Sequence, residues 1–590
     1  MGSRLARIIS ALLCIALIGL WTMPIAVASD VPLKEKFGFG SAEEEPPEYY
    51  SSMKYPYYTE ILHEYENKGY ESAEGSPIVV AVDNLKLPDG KAPELVSGVE
   101  GNKDLALIWD DTMPWVEWEV EIPKEGLYEL ELEYCMLKGS GNPAVRSIYI
   151  DGEIPFLEAN NIVFHRIWRD EGEPIVNSLG DEVRPGQVEV RDWRNKEIWD
   201  GQGFYPEPLK FYFTPGRHTI RLEYIDQPMA IGNFTVRPAK TIPTYEQVRA
   251  EYRKKGYKEA KGSYDFQAES EAIEKSDPTV RRENHGDPLC VPSSPTDRKL
   301  NVIGGWRWRR GNQSITWKFT VPEGGLYKIG LRVGQWWNDG LPSFRQIAID
   351  GQVPFKELEA YEFAYDKKWR THTLKDSSGE PYLFYLTEGE HTITMTVKMG
   401  YLSSIIQSIN EDSLLLSGII RDIVKITGSD PDPNYDYELM SVIPTLQEDM
   451  ETLIDSLQAK YDVLSTTSSK VPAMANNFLT IKKQLESMIK DPFTIARRMN
   501  DLNNAQTTLG AWYLDLQNQP LMIDYFLIGS PDTKWQDKQS NVLQRIKATF
   551  DNFKMSFKKD YDNIGSVIED DTQVKEVINV WIARGTEWAE

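Results

Sequence analysis

The chain has 590 residues, of which 41% are hydrophobic and 11% aromatic, which is enough apolar material for several folded domains. Its formal net charge is −25 at pH 7, and a surface of that sign repels nucleic-acid phosphates. The composition therefore excludes a nucleic-acid-binding protein and indicates a multidomain chain with a well-solvated surface.

The N-terminus has the pattern of a secretory signal peptide, residues 1–28. Arg4 and Arg7 form a basic start, Ile8–Trp21 is apolar, and Ala26–Ala28 is a small-x-small cleavage site. The mature chain is therefore expected to begin at Ser29 in a secreted, cell-surface-associated protein, with an uncleaved membrane anchor as the alternative. No later apolar run is long enough to predict a second membrane span.

Few cysteines follow the signal peptide. Cys135 and Cys290 are expected as buried free thiols, with a disulfide between them as the alternative. So low a cysteine content in a secreted chain indicates a bacterial protein. Residues 29–57 are acidic and rich in proline and tyrosine, which predicts a linker.

Residues 58–238 and 239–428 are two copies of one unit. The matching segments are Tyr58–Tyr70 with Tyr245–Tyr257, Trp118–Tyr128 with Trp317–Tyr327, Arg146–Phe156 with Arg345–Phe355, and Gly216–Ile220 with Gly389–Ile393. The first offset, 245 − 58 = 187 residues, is too long for a solenoid and indicates duplicated domains. No catalytic motif is shared by the copies, which favours tandem binding modules over an enzyme.

Each copy is predicted to be an antiparallel β-sandwich that follows a short helix. Trp115–Ile122 alternates apolar and polar residues, as a half-buried strand does, and Asp151-Gly152 is a hairpin-turn signal. The last strands are predicted at Ile231–Val236 and Ile419–Thr427. The first copy has an additional segment at 168–204, which is expected to be a lid or a loop.

Residues 429–572 change to a helical period. Apolar residues three or four positions apart form stripes in Leu446–Leu464, Phe478–Met488, Ile495–Leu502 and Val542–Phe557. We predict a bundle of about four helices whose stripes pack in a core.

The last residues, 573–590, predict the start of another domain. Val577–Ile582 is a β-branched apolar run suited to a buried parallel strand, and a loop and a helix start follow it. The fold class is therefore two antiparallel β-sandwiches, an α-helical bundle and the first strand of a truncated α/β domain. The alternative for Val577–Ile582 is a tail strand on a sandwich edge.

Two tryptophan-rich segments of the second copy, 306–310 and 336–339, are candidates for a saccharide-binding surface. Aromatic faces stack on sugar rings, and polar groups bond to the hydroxyls. Strand alternation would put Trp306 and Trp308 on one face. We predict that Trp308, Trp337 and Asp339 contact ligand.

The counterparts in the first copy are Trp109, Asp110, Asp111 and Trp115, of which Trp109 and Asp111 are the predicted ligand contacts. His218 and His391 occupy equivalent strand positions, which indicates a structural role for both. There is no metal-protease, nucleophile-elbow or phosphate-loop motif, so no catalytic residue is predicted.

The ends of the second copy resemble a known family. Gln267-Ala268-Glu269 near its start and Asp422-Ile423-Val424-Lys425-Ile426 near its end are similar to the pattern of galactose-binding-like sandwiches in carbohydrate-binding module families 6 and 35. The resemblance implies a structural Ca²⁺ in this copy, held by Gln267, Glu269 and Asp422. An ordinary surface pair is the alternative.

The layout resembles large bacterial extracellular solute-binding proteins of sugar ABC transporters, whose solute-binding domain opens with a strand and loop like 580–585. The resemblance implies non-catalytic sugar capture, with an oligo- or polysaccharide ligand and a permease partner reached through the domain that follows. The alternatives are an ancillary region of a secreted glycoside hydrolase or lyase and a structural surface protein.

Overall fold

The computed structural model describes residues 55–557, apart from positions 89, 91, 102, 103, 178, 339, 468, 469 and 538. The predicted signal peptide, nearly all of the linker and the predicted strand at 577–582 lie outside the described residues. The described residues from Pro56 to Phe557 belong to one compact unit. Within its described part, both copies of the repeat are antiparallel β-sandwiches, as predicted.

The first sandwich follows helix α1 (Tyr58–Lys68). Its described strands are β1 (Ile78–Val80), β2 (Leu95–Val96), β3 (Ala106–Trp109), β4 (Trp115–Ile122), β5 (Gly126–Met136), β6 (Ala144–Ile150), β7 (Ile162–Phe164), β8 (Ile167–Asp170), β9 (Ile175–Val176), β10 (Glu182–Val183), β11 (Gln187–Val190), β12 (Arg194–Glu197), β13 (Lys210–Phe213), β14 (Gly216–Asp226) and β15 (Met229–Pro238).

Two sheets of the first sandwich enclose its core. One has the order β12-β5-β15-β3-β2, with β1 and β13 added beside it, and the other has the order β4-β14-β6-β7. Trp118 of β4 stacks on Phe234 of β15 with ring centroids 4.5 Å apart. The alternating apolar residues of 115–122 therefore lie on the face of β4 that is directed into the core.

The second sandwich follows helix α2 (Tyr245–Lys255). Its described strands are β16 (Ser263–Gln267), β17 (Ala272–Lys275), β18 (Arg282–Glu283), β19 (Val302–Gly305), β20 (Ser314–Val321), β21 (Gly325–Gln335), β22 (Ser343–Ile349), β23 (Tyr361–Phe363), β24 (Asp366–Thr373), β25 (Leu383–Leu386), β26 (Gly389–Lys398) and β27 (Leu521–Gly529). One sheet has the order β18-β19-β27-β21-β24, with β16 and β25 added, and the other contains β17-β20-β26-β22-β23.

The last strand of the second sandwich differs from the prediction. Ile419–Thr427 lies in helix α3 (Leu402–Thr427), and β27 is the strand that pairs with β16, β19 and β21. Ile419, Ile423 and Thr427 are buried at intervals of four residues, which is the period of a helix face. The helices are therefore inserted in the second sandwich, and the predicted boundary at 428/429 is wrong.

The inserted bundle comprises α3, α4 (Leu439–Val442), α5 (Leu446–Thr467), α6 (Ala473–Lys490) and α7 (Met499–Leu516). Its predicted stripes are core: Leu453, Phe478 and Leu485 are buried. The bundle interior also holds an ion pair, in which Lys460 Nζ donates to Asp412 Oδ2 at 2.7 Å. Pairing offsets the cost of burying both charges.

Helix α8 (Val542–Ser556) contradicts the prediction that every stripe is core. Val542, Ile546, Phe550, Phe553 and Phe557 are between 59% and 76% exposed. Periodicity in a sequence shows that one face of a helix is apolar, but it does not show what covers that face.

The additional segment of the first copy is neither a lid nor a simple loop. Strands β8 and β11 extend a sheet of the second sandwich, with Trp168 paired to Lys275. Asp170 accepts hydrogen bonds from Lys275 Nζ and, at 2.9 Å, from Arg282 Nε. The segment therefore joins the two sandwiches.

Three smaller predictions are settled by the fold. Cys135 and Cys290 are buried free thiols, as predicted. The Nδ1 atoms of His218 and His391 lie 2.6 Å from a carboxylate oxygen of Asp151 and Asp350, respectively, and each histidine braces a turn beside its strand. None of the described helices has the length and apolarity that crossing a membrane requires.

Candidate functional site

A groove of about 520 Å³ opens on the second sandwich where β19 ends and β27 begins. Trp306, Arg307, Arg309 and Trp337 line it, and we call it the tryptophan groove. Arg310, Glu283, Asn284 and Thr279 also line it, so the groove combines two indole rings with guanidinium, carboxylate, amide and hydroxyl groups. This is the composition expected of a site for a polyhydroxylated ligand.

Trp306 supplies the more open aromatic surface of the groove. It lies in a turn directly after β19, and its side chain is 46% exposed. The Arg309 guanidinium lies 4.5 Å from the centroid of the indole ring, which is a cation–π distance. A stacked cation orients the ring and leaves the groove with a positive charge.

Trp337 supplies the second ring, which is held in a stack of aromatic side chains. Its ring lies 4.8 Å from that of Trp336, with 27° between the planes, and Trp336 meets Trp369 edge-on at 5.3 Å. A Cβ atom at Gly305 would come within 3.3 Å of the Trp337 ring, so glycine lets the strand pass beneath it. The position of Trp337 is therefore fixed from two sides.

The inserted bundle supports one side of the tryptophan groove. Arg309 Nε donates to Asn518 Oδ1 at 2.8 Å, and Asn338 Nδ2 donates to the Asn518 carbonyl oxygen at 2.5 Å. On the other side, Arg307 pairs with Glu283 at 2.5 Å. Loops from distant parts of the chain therefore converge here, and only the folded insertion places Asn518 beside Arg309.

Two of the predicted ligand contacts are core residues instead. Trp308 is fully buried, its Nε1 donates to the Gln313 carbonyl at 3.0 Å, and the Arg345 guanidinium lies 4.1 Å over its ring. Trp109 is its counterpart, fully buried beneath Arg146 at 4.2 Å. The prediction that these rings contact ligand is wrong, since both faces are covered by protein.

The exposed ring is Trp306, which the prediction passed over. Strand alternation was expected to put Trp306 and Trp308 on one face, but residues 306–308 form a turn, where that rule does not hold. Trp337 lies in the groove, Asp339 lies outside the described residues, and Asp111 is exposed on the first sandwich, away from this groove. The signal for Trp306 was the Gly304-Gly305 pair that ends the strand.

The predicted metal ligands are not brought together. Asp422 lies on the exposed face of α3, where Lys425 Nζ donates to it at 2.7 Å, so it is not on the closing strand. That strand instead places Asp524 near Glu269, and the Arg332 guanidinium pairs with Asp524. Gln267 Oε1 and Glu269 Oε2 are buried without a hydrogen-bond partner.

Burial controls the ionisation of this carboxylate cluster. Desolvation, with a smaller contribution from Asp524, raises the pKa of Glu269 to about 8. Desolvation likewise raises the pKa of Asp524 to about 6, against the opposing effect of Arg332. Within the described residues no group of three or more His, Cys, Asp or Glu side chains has the arrangement of a metal site, so calcium binding stays a prediction.

Part of the chain matches a known family. Residues 404–516 match the family model of the bacterial solute-binding protein, 4-helix bundle domain. The match coincides with helices α3 to α7 and confirms the predicted resemblance to bacterial solute-binding proteins for this segment. None of the curated proteins matches the chain.

Solved structures with related folds include carbohydrate-binding modules. A family 35 module from Clostridium thermocellum is 16% identical, with 28% of this chain and 98% of that chain covered and a TM-score of 0.15. The N-terminal CBM22-1–CBM22-2 tandem domain of Xyn10C from Paenibacillus barcinonensis is 10% identical, with 55% and 92% covered and a TM-score of 0.16.

A larger protein is also similar over part of its length. The GH26-CBM35 β-(1,4)-mannanase of Podospora anserina is 9% identical, with a TM-score of 0.16. The match covers 29% of this chain and 29% of the mannanase, so the chain spans less than a third of that protein. No functional argument rests on likenesses at these values.

Proposed function

We propose that this chain is a non-catalytic, extracellular carbohydrate-binding region of a bacterial solute-binding protein for sugar uptake. Saccharide binds in the tryptophan groove of the second sandwich. The 4-helix bundle match at 404–516 supports the solute-binding assignment. The role implies an ABC-transporter permease as partner.

The tryptophan groove is the observation that carries the proposal. Trp306 offers an indole face 46% open to solvent, and Trp337 adds a second ring beside it. The C–H faces of a pyranose ring stack on such surfaces, while Arg307, Arg309 and Asn284 donate hydrogen bonds to its hydroxyls. An acidic sugar would gain further from the arginine charges.

A glycan array tests the proposal on the intact chain, with and without calcium. Trp337→Ala should weaken saccharide binding about 30-fold, since a buried aromatic anchor contributes roughly 2 kcal/mol. Trp115→Ala is the matched control, because Trp115 is a half-buried tryptophan of the first sandwich with Arg221 4.1 Å over its ring. An array without any bound glycan, or equal losses in both variants, would contradict the proposed site.

A further inference from the structure

Helix α8 exposes its apolar face to solvent. Its apolar stripe comprises Val542, Leu543, Ile546, Phe550, Phe553 and Phe557, all between 59% and 77% exposed. These positions repeat at intervals of three or four, so they form one continuous face. A surface helix of a globular protein normally turns this face inward.

The opposite, more polar face of α8 lies against the second sandwich. Arg545, Ala548 and Asn552 line the clefts between the helix and the loop at 285–297. Arg545 Nε donates to Ser540 Oγ at 2.8 Å, and Ser540 Oγ donates to Asp287 Oδ2 at 2.7 Å. The helix is thus held by polar contacts, and its apolar stripe is directed away from the body that holds it.

The helix is built to persist in this position. Asn541 caps its N-terminus, because Asn541 Oδ1 accepts from the Gln544 backbone N–H at 2.8 Å and Gln544 Oε1 accepts from the Asn541 backbone N–H at 2.9 Å. A stable helix with six large apolar side chains in water implies a partner, because a patch of this kind marks an interaction site.

We infer that the apolar stripe of α8 is an intrachain docking surface for the apolar run Val577–Ile582 of the same chain. The run begins 577 − 557 = 20 residues after Phe557, and a linker of that length reaches up to about 66 Å. Any point on the helix is therefore within reach, and attachment in the same chain gives the run a high effective concentration.

The chemistry of the two partners is complementary. Val577–Ile582 contains five apolar residues and one asparagine, as expected for a strand that must be covered by helices on its faces. Lys547 and Lys554 are neighbours of Phe550 on the helix, at intervals of three and four residues. The linker at 558–576 has six acidic residues and three lysines, so it carries a net negative charge that complements these lysines of the helix.

Thiol alkylation of the intact chain tests this inference independently of saccharide binding. Phe550→Cys and Leu514→Cys are matched probes, because both native side chains are 63% exposed. Burial raises the pKa of Cys135 and Cys290, so these two native thiols react slowly, and Cys14→Ser in every variant removes the third. If the run covers α8, maleimide should label Cys at 550 about tenfold more slowly than Cys at 514.

Adding Trp581→Asp to the Phe550→Cys chain should restore the fast rate. Equal rates at 550 and 514 would overturn the inference, as would protection that Trp581→Asp leaves unchanged. Protection that rises with protein concentration, together with a dimer in sedimentation velocity, would assign the stripe to a second copy instead. Hydrogen exchange of α8 in the unsubstituted chain and in Trp581→Asp gives the same answer without a cysteine in the helix.

Discussion

The hairpin that joins the last two strands of the sandwich differs most between the two copies. It is 229 − 226 − 1 = 2 residues long between β14 and β15, and 521 − 398 − 1 = 122 residues long between β26 and β27. The two strands that it joins have the same arrangement in both copies. A sandwich therefore accepts a whole helical domain at a hairpin, because the strand ends are already close and loop-closure entropy grows slowly with length.

An equivalent arginine anchors both connections. Arg146 donates to the carbonyl oxygen of Asp226 at the end of β14 at 2.7 Å, and to that of Gln227 in the short hairpin at 3.0 Å. Arg345 Nη2 donates to the carbonyl oxygen of Gln519 at 2.7 Å, where the chain returns from the bundle. The same buried guanidinium thus holds a two-residue turn in one copy and the end of the insertion in the other.

The β-bulge in the last strand, β15 or β27, is stabilised by different side chains in the two copies. In the first, Glu133 accepts from the Asn233 amide at 3.0 Å, and a Cβ at Gly232 would meet that carboxylate. In the second, Arg332 and Asp524 occupy the corresponding places and form a buried ion pair. The second copy therefore depends on a paired charge where the first uses a backbone hydrogen bond.

Breaking that ion pair is expected to have the largest effect. Asp524→Asn leaves the buried Arg332 charge without its main partner, which should lower the free energy of unfolding by about 3 kcal/mol. Urea denaturation followed by tryptophan fluorescence measures the loss. Asp265→Asn, an exposed position on β16 of the same sheet, should change stability by less than about 0.5 kcal/mol. Equal losses would show that the pair is dispensable.

The buried carboxylate Glu269 is expected to make the stability of the second sandwich depend on pH. Its folded pKa of about 8 lies above the ordinary value of 4.5, so the folded state binds more protons between these values and stability falls as pH rises. Between about pH 6 and 7 the contribution of Glu269 to this slope should approach about 1.4 kcal/mol per pH unit, and it should fall to about half of that at pH 8. Glu269→Gln should remove this slope in urea titrations at pH 6, 7 and 8. An unchanged slope would assign it to another group.

The smallest effect concerns the contact between the insertion and the groove. Asn518→Ala removes the acceptor of Arg309 Nε, which should weaken saccharide binding about fivefold, as for the loss of roughly 1 kcal/mol. Gln517→Ala is the neighbouring control, because Gln517 Nε2 has no hydrogen-bond partner among the described residues. Titration calorimetry compares the two variants. Identical affinities would mean that the bundle does not support ligand binding.

The sequence predicted those features that are encoded locally. The duplicated unit, the alternating strands and the buried stripes of α5 and α6 depend on residues close together in the chain. The closing strand did not follow from local pattern, because β27 pairs with β16 across 525 − 267 = 258 residues. Ile419–Thr427 has β-branched residues suited to a strand. Tertiary packing instead favours a helix, whose buried face repeats every four residues.

The candidate site was predicted in region but not in residue. Both tryptophan segments reach the groove, yet Trp306 rather than Trp308 is exposed, since 308 − 305 = 3 residues separate the core tryptophan from the end of β19. In the first copy, Trp109 is itself the last residue of β3. Composition and periodicity do not encode this difference in turn length, so the sequence could not show which tryptophan is exposed.

The stoichiometry of saccharide binding tests the central claim, that the second sandwich and not the first carries the site. Titration calorimetry of the intact chain with the tightest-binding oligosaccharide of the array should give one site per chain. Trp306→Ala should abolish the heat of binding, and Trp115→Ala should retain it. Two sites per chain, or full binding by Trp306→Ala, would contradict the account.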